Sequence, residues 1–242
     1  MIGPSRHPRY FVPLVSLLVL IASFCATAET DVGFVPIFDG ETLSNWRPDP
    51  VALAASWSVK DGVIRGEGVE DRLAYLVYSG DEKLTDFELN FRCRMLTDGN
   101  TGVEIRSRVD TTGKRPFEGY HADLGHVGIG PQILGAWDFH FATRKEFPCE
   151  RGTRLVIDEA GLGHHETIEN HVTLNDIKKR DWNEAHIIAA GNRFQFFING
   201  KPASEFTDGI REGRIESGFI ALQLHDKGMV VEFKDIQLKR SN

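Results

Sequence analysis

Three short segments place ionisable side chains on the face of a strand that alternation turns away from a core. In Val103-Glu104-Ile105-Arg106-Ser107-Arg108, Val103 and Ile105 point one way and Glu104, Arg106 and Arg108 the other. In Tyr120-His121-Ala122-Asp123-Leu124 the outward pair is His121 and Asp123. In Phe219-Ile220-Ala221-Leu222-Gln223-Leu224-His225 it is Gln223 and His225. If the first two segments pair across the loop 109–119, their ionisable groups share one sheet face. The set holds two carboxylates (Glu104, Asp123), two imidazoles (His121, His225), two guanidiniums (Arg106, Arg108) and the Gln223 amide. It offers a proton acceptor, a proton donor and cations to hold a developing oxyanion. Crowding separates pKa values, so one carboxylate stays charged while a histidine titrates near neutrality. Alternating Glu and Arg also describes a solvated face held by cross-strand ion pairs.

Trp137, in Gly135-Ala136-Trp137-Asp138-Phe139-His140, is a candidate stacking platform for the apolar face of a sugar; the alternative is a core position. Trp46, Trp57 and Trp182 sit at strand starts or beside turns and suit packing. His164, His165 and His171, with Glu166 and Glu169, lack the spacing of a metal-ligand set and suit a flexible polar loop. There is no Gly-x-Ser-x-Gly, Walker loop or dinucleotide fingerprint. No cofactor is required by the sequence. A divalent cation held by the carboxylates and histidines fits the outward set, since hard ions take oxygen ligands.

The elements that would position these groups are strands. Phe87 to Met95 alternates apolar and polar along its whole length. Asp61-Gly62 and Asn199-Gly200 are hairpin turns between alternating segments, and 230–238 completes the set. Helical period is confined to short pieces such as 174–180. Short strands with regular turn punctuation imply an all-β sandwich or barrel. The stretch of about 147–175 is weakly periodic and is expected to be a long excursion beside the site.

Arg6, His7 and Arg9, an apolar run from Tyr10 to Phe24, and Ala26-Thr27-Ala28 form a secretory signal over 1–28. That leaves 29–242 as one domain, exported to a periplasm or beyond the cell, with no stable membrane span. A net charge of −7 excludes the basic face of a nucleic-acid binder. The expected partner is a small-molecule or oligosaccharide substrate. Cys93 falls in phase with the apolar side of its strand and reads as a buried thiol; a bridge to Cys149 is not required.

An ordered series of short motifs resembles the 3-keto-disaccharide hydrolase family over about 34–239. Phe38-Asp39-Gly40 with Leu43 and Trp46 matches its opening, and Trp57-Ser58-Val59-Lys60-Asp61-Gly62 its next signature. Asp86-Phe87-Glu88-Leu89 followed by Gly99-Asn100-Thr101-Gly102, then Asp181-Trp182-Asn183, Gly191-Asn192-Arg193 and Gly218 to His225, continue in order. The chain departs from the family at Glu104, where relatives often carry Gln, at His121, where they often carry Gln or Glu, and at Gly135-Ala136-Trp137-Asp138. The resemblance implies a concanavalin A-like jelly-roll sandwich of two antiparallel sheets. It implies cleavage of glycosides oxidised at C3, by C2 proton abstraction, elimination and hydration. Asp123 or Glu104 would be the base, with Arg106 and His225 stabilising or protonating the oxyanion. Arg108, His121, Trp137 and Gln223 would bind substrate. A non-catalytic carbohydrate-binding module is the alternative from another class.

Overall fold

Alternation becomes strand pairing throughout the computed structural model, which describes residues 33–69, 73–125 and 133–241 together with Met1 and Gly3. The secretory segment 1–28 lies outside the described residues apart from those two positions. The residues from Val32 onward form one compact unit. Among the described residues no helix is long and apolar enough to cross a membrane.

The strands are β1 (Val35–Pro36), β2 (Trp46–Asp49), β3 (Trp57–Lys60), β4 (Val63–Glu67) and β5 (Ala74–Tyr78). Next come β6 (Phe87–Met95), β7 (Gly102–Val109), β8 (Phe117–Asp123), β9 (Trp137–His140), β10 (Thr153–Ile157) and β11 (Gly163–Thr167). The chain ends with β12 (Asn183–Ala190), β13 (Arg193–Ile198), β14 (Lys201–Asp208), β15 (Phe219–Leu224) and β16 (Val230–Arg240). One sheet has the order β11-β10-β14-β13-β12-β6-β16-β4-β3, with β1 added against β16. The other has the order β2-β5-β15-β7-β8-β9. Described pairings are antiparallel except β10 with β14, which run parallel.

The local chemistry accounts for these elements. In β6, Phe87, Leu89, Phe91, Cys93 and Met95 are buried while the residues between them reach outward. Asn199 and Gly200 both adopt positive φ, +51° and +76°, which a two-residue hairpin turn with the native twist requires. Cys93 and Cys149 are both buried and free. Burial pushes the Cys93 thiol up to about 12 and that of Cys149 up to about 11.

The stretch 147–175 is not a loose excursion beside the site. Its β10–β11 hairpin extends the larger sheet at its edge, and a capped turn at Leu174–Asp176 closes it. None of its residues lines the main cavity. The smaller sheet has a different peculiarity. All seven residues of β8 are buried, so its outward face is covered and not solvated, although it carries His121 and Asp123.

Trp137 belongs to the core and not to the outward face of the smaller sheet. It is 1% exposed and meets Phe194, Phe196 and Phe206 edge-on, with ring centroids 6.1, 5.9 and 5.3 Å away. Trp137→Ala is therefore expected to cost about 3–5 kcal/mol of stability in urea unfolding, the range for emptying a buried aromatic site. A binding platform would instead lose affinity at unchanged stability.

Candidate active site

Register across the smaller sheet builds a row of charge. Glu104 on β7 lies opposite His121 on β8, which lies opposite Asp138 on β9. Two residues further along β9, His140 turns to the same face, because Trp137 and Phe139 alternate with it into the core. The result is a chain of alternating carboxylates and imidazoles. Asp123 Oδ1 is 3.4 Å from His121 Nε2, and His121 Nδ1 is 3.2 Å from Glu104 Oε1. The same oxygen is 2.6 Å from His140 Nδ1, and His140 Nε2 is 3.5 Å from Asp138 Oδ2. The two imidazole rings stack at 4.8 Å with planes 23° apart.

Glu104 has no exposed surface. Burial alone would raise its pKa, but the charges of His140 and His121 hold the carboxyl well below the usual carboxylate range. Burial pulls both histidines down, but Glu104, with Asp123 beside His121 and Asp138 beside His140, more than reverses it, so each sits above the ordinary imidazole value. Asp123 is the exception among the carboxylates: burial raises it further than His121 lowers it. Its carboxylate is thus more basic than usual, while that of Glu104 is less.

These groups face a cavity of about 590 Å³ on the outer side of the smaller sheet. His121, Asp123, Asp138 and His140 line one part of it, and Gln223 and His225 another. Gln223 Nε2 lies 3.4 Å from the Tyr75 hydroxyl, while its Oε1 is buried with no protein partner. Asn100 Oδ1, also in the lining, is likewise unpartnered. Tyr75 packs on Phe117 at 4.7 Å, giving the cavity an apolar flank. Burial, and then the Glu104 charge, push the Tyr75 phenol up, so it stays a neutral donor. His225 is half exposed and its Nδ1 is 2.8 Å from Asp226 Oδ1. Lys114 and Arg115 add cations to the lining.

Glu104, His121, Asp123, Gln223 and His225 are thus brought together as alternation implies. Arg106 is not. A bulge interrupts β7 between Ile105 and Arg108, and Arg106 takes a left-handed φ of +44°. The bulge fits because both neighbouring strands carry glycine there. A Cβ on Gly119 would stand 1.9 Å from Ser107 Oγ, and one on Gly218 2.3 Å from the Ser107 carbonyl oxygen. Past the bulge Ser107 takes the site face, 3.2 Å from Glu104 Oε2. Arg106 turns inward, where its guanidinium lies over Phe194 of the other sheet at 4.9 Å. It donates to the carbonyls of Thr85 and Gly191 at 2.7 and 2.6 Å and to Asp86 at 2.8 Å. Arg108 is also displaced: it pairs with Glu118 across the strands at 2.9 Å and does not line the cavity.

Asp138, His140 and Tyr75 were missed in the sequence. The first two carried a signal, since a core Trp137 and Phe139 force them outward. Tyr75 carried none, because Ala74-Tyr75-Leu76-Val77-Tyr78 is buried on both faces.

A two-sheet jelly roll with a polar cavity on one sheet face has the architecture of concanavalin-like lectin and glycosyl hydrolase domains. The chain belongs to the family of 3-keto-alpha-glucoside-1,2-lyase-like domains, which matches residues 33–239. It is similar to a candidate glycosyl hydrolase from Parabacteroides distasonis, at 19% identity and TM-score 0.56, covering 87% of this chain and 94% of that one. It also resembles the exoplasmic/lumenal domain of VIP36, solved bound to Ca2+ and Man3GlcNAc, at 12% identity and TM-score 0.54. That match covers 87% of this chain and 91% of the other. No curated protein matches the chain.

The placement of Arg106 makes it a tie between the sheets. Arg106→Met keeps the stem packing but strands two carbonyls, and is expected to cost about 1–3 kcal/mol in denaturant unfolding. Turnover below the unfolding transition should stay at the wild-type level, and a large loss of turnover at intact stability would contradict this placement.

Proposed function

We propose that the protein cleaves glycosides oxidised at C3 of the sugar, by eliminating the C1 substituent and then hydrating the product. The observation that carries this reading is the buried carboxylate of Asp123, held more basic than usual, in the wall of a polar cavity whose lining also carries Lys114, Arg115 and His140. A ketone at C3 acidifies the proton on C2. Asp123 takes that proton, and the electron pair moves into an enolate whose negative charge rests on the C3 oxygen. The enolate collapses to form C1=C2 and breaks the bond from C1 to the leaving oxygen. Water then adds across C1=C2, with hydroxyl to C1 and hydrogen to C2. The sum is hydrolysis, with no net change of oxidation state.

Between the two carboxylates weighed from the sequence, the environment favours Asp123 as base. Glu104 is sealed from the cavity and clamped by two imidazoles, so its proton affinity is low. Lys114 and Arg115, in the same lining, are the cations that would steady the enolate. The neutral Tyr75 hydroxyl is a donor for a sugar oxygen, and the free Gln223 Oε1 an acceptor for a sugar hydroxyl. His225, half exposed in the lining, suits protonation of the leaving oxygen.

The test is release of free sugar or aglycone from 3-keto-glucosides incubated with the purified protein. Wild type should release product, and Asp123→Asn should lower the rate by roughly 10²–10⁴-fold, the usual worth of a general base, in protein that stays folded at the assay temperature. Wild-type rates in Asp123→Asn would remove the base from that residue. No release across the panel, with sugar binding retained by calorimetry, would make the domain a binding module.

A further inference from the structure

We propose that Glu104, His121 and His140 form a binding site for one divalent transition-metal ion of the zinc or cobalt kind. One ligand atom from each lies within 4.8 Å of the others. Both imidazoles turn Nδ1 toward a single oxygen, Glu104 Oε1, at 3.2 Å from His121 and 2.6 Å from His140. The stacked rings, 23° from parallel, set the two nitrogens side by side. The opposite ring nitrogens each approach a second carboxylate, Asp123 for His121 at 3.4 Å and Asp138 for His140 at 3.5 Å. A metal-bound histidine characteristically offers its other N–H to a carboxylate, which fixes the tautomer and the ring orientation. Here both histidines are set up that way, by residues that the cation would not touch.

The His121 Nδ1 atom supplies an independent observation. The side chain is 2% exposed, and this nitrogen has no hydrogen-bond partner, although a carboxylate oxygen is 3.2 Å away. The distance suits a hydrogen bond and the direction does not, so the nitrogen points beside the oxygen. Two donors that converge on a shared point between them are arranged for an ion. With metal–ligand bonds of about 2.0–2.2 Å, tetrahedral coordination separates ligand atoms by about 3.4 Å. The His121–Glu104 spacing is already close to that, and His140 needs to draw back by under about 1 Å.

The donor set selects the ion. Two imidazole nitrogens and one carboxylate suit borderline first-row ions. Calcium and magnesium want six or more oxygens, so the hard cation expected from the sequence is the poorer fit. Of the three ligands, His121 and His140 line the cavity, so an ion held there would have its fourth position on that side for water or substrate, the pattern of catalytic zinc. The binding site stands on geometry alone. Its part in the reaction, polarising a substrate oxygen, rests on the elimination reading above.

Metal binding is measured directly and without sugar, by titrating chelator-stripped full-length protein with Zn2+ and Co2+ in a calorimeter. The visible spectrum of the cobalt form reports coordination geometry. The expected result is one ion per chain with an intense tetrahedral cobalt spectrum. His140→Ala and Glu104→Gln should lower affinity by at least roughly 100-fold and abolish that spectrum, and Asp138→Asn should lower affinity by roughly 10-fold or more. His164→Ala/His165→Ala, on the exposed edge strand β11, should bind as wild type does. Circular dichroism confirms that each variant is folded, and His140→Asn replaces His140→Ala if the latter is not. No stoichiometric binding, or binding that survives both His140 and Glu104 substitutions, overturns the site. Failure here leaves the elimination reading standing, whereas a metal-loaded protein inactive on 3-keto-glycosides removes that reading and keeps the site.

Discussion

A carboxylate with no exposed surface must be neutralised where it stands, and the candidate site is organised around that requirement at Glu104. The carboxylate has lost its water, so positive charge has to be brought to it by the fold. Strand register does this. β8 sets His121 directly opposite, and the next strand brings His140 in from the diagonal. Each imidazole is then held from behind by a further carboxylate, and Ser107 closes on the second Glu104 oxygen. Removing any member leaves another buried and short of a partner. In low dielectric such a network is rigid, which is what a site needs if its reacting groups are to be held before substrate arrives.

The bulge in β7 is the device that separates this network from the rest of the molecule's charge. Without it, Arg106 would share a face with Glu104 and neutralise the carboxylate itself, leaving the histidines without their anion. With it, the guanidinium goes through to the other sheet and ties the approach to β6 to the β12–β13 turn. One strand thereby serves both a charged cavity and a packed interior. The two glycines beside the bulge are what let it lie flat between its neighbours. Any side chain at Gly218 would run into the backbone of Ser107.

Much of this was legible in the sequence, and the failures have physical causes. Alternation placed Glu104, His121, Asp123 and Gln223 on one face because the period of two holds wherever the ladder is regular. It failed at Arg106 and Arg108 because a single inserted residue shifts every side chain after it. It failed differently on β11, where all five residues are exposed, so no buried face exists to reveal a period. The hairpin there was read as a loop for that reason. Trp137 was read for its ring, which suits sugar; its sequence neighbours held the better information, since Phe139 shares its side and commits both to the core.

The unpartnered polar atoms around the cavity bear on what the fold is arranged to hold. Folding normally leaves few buried groups unsatisfied, because each costs about 1–3 kcal/mol. Here Asn100 Oδ1 and Gln223 Oε1, on two residues that line one pocket, stay without protein partners. The apolar Tyr75 and Phe117 lie beside them. Acceptors left open beside an apolar flank suit a ligand that carries both hydroxyl and C–H groups. The elimination chemistry adds a further demand: only the ring that carries the ketone gains negative charge, and it gains it at one oxygen. On the elimination reading, that oxygen would have to meet the wall that holds Asp123, since the base must reach the carbon next to it.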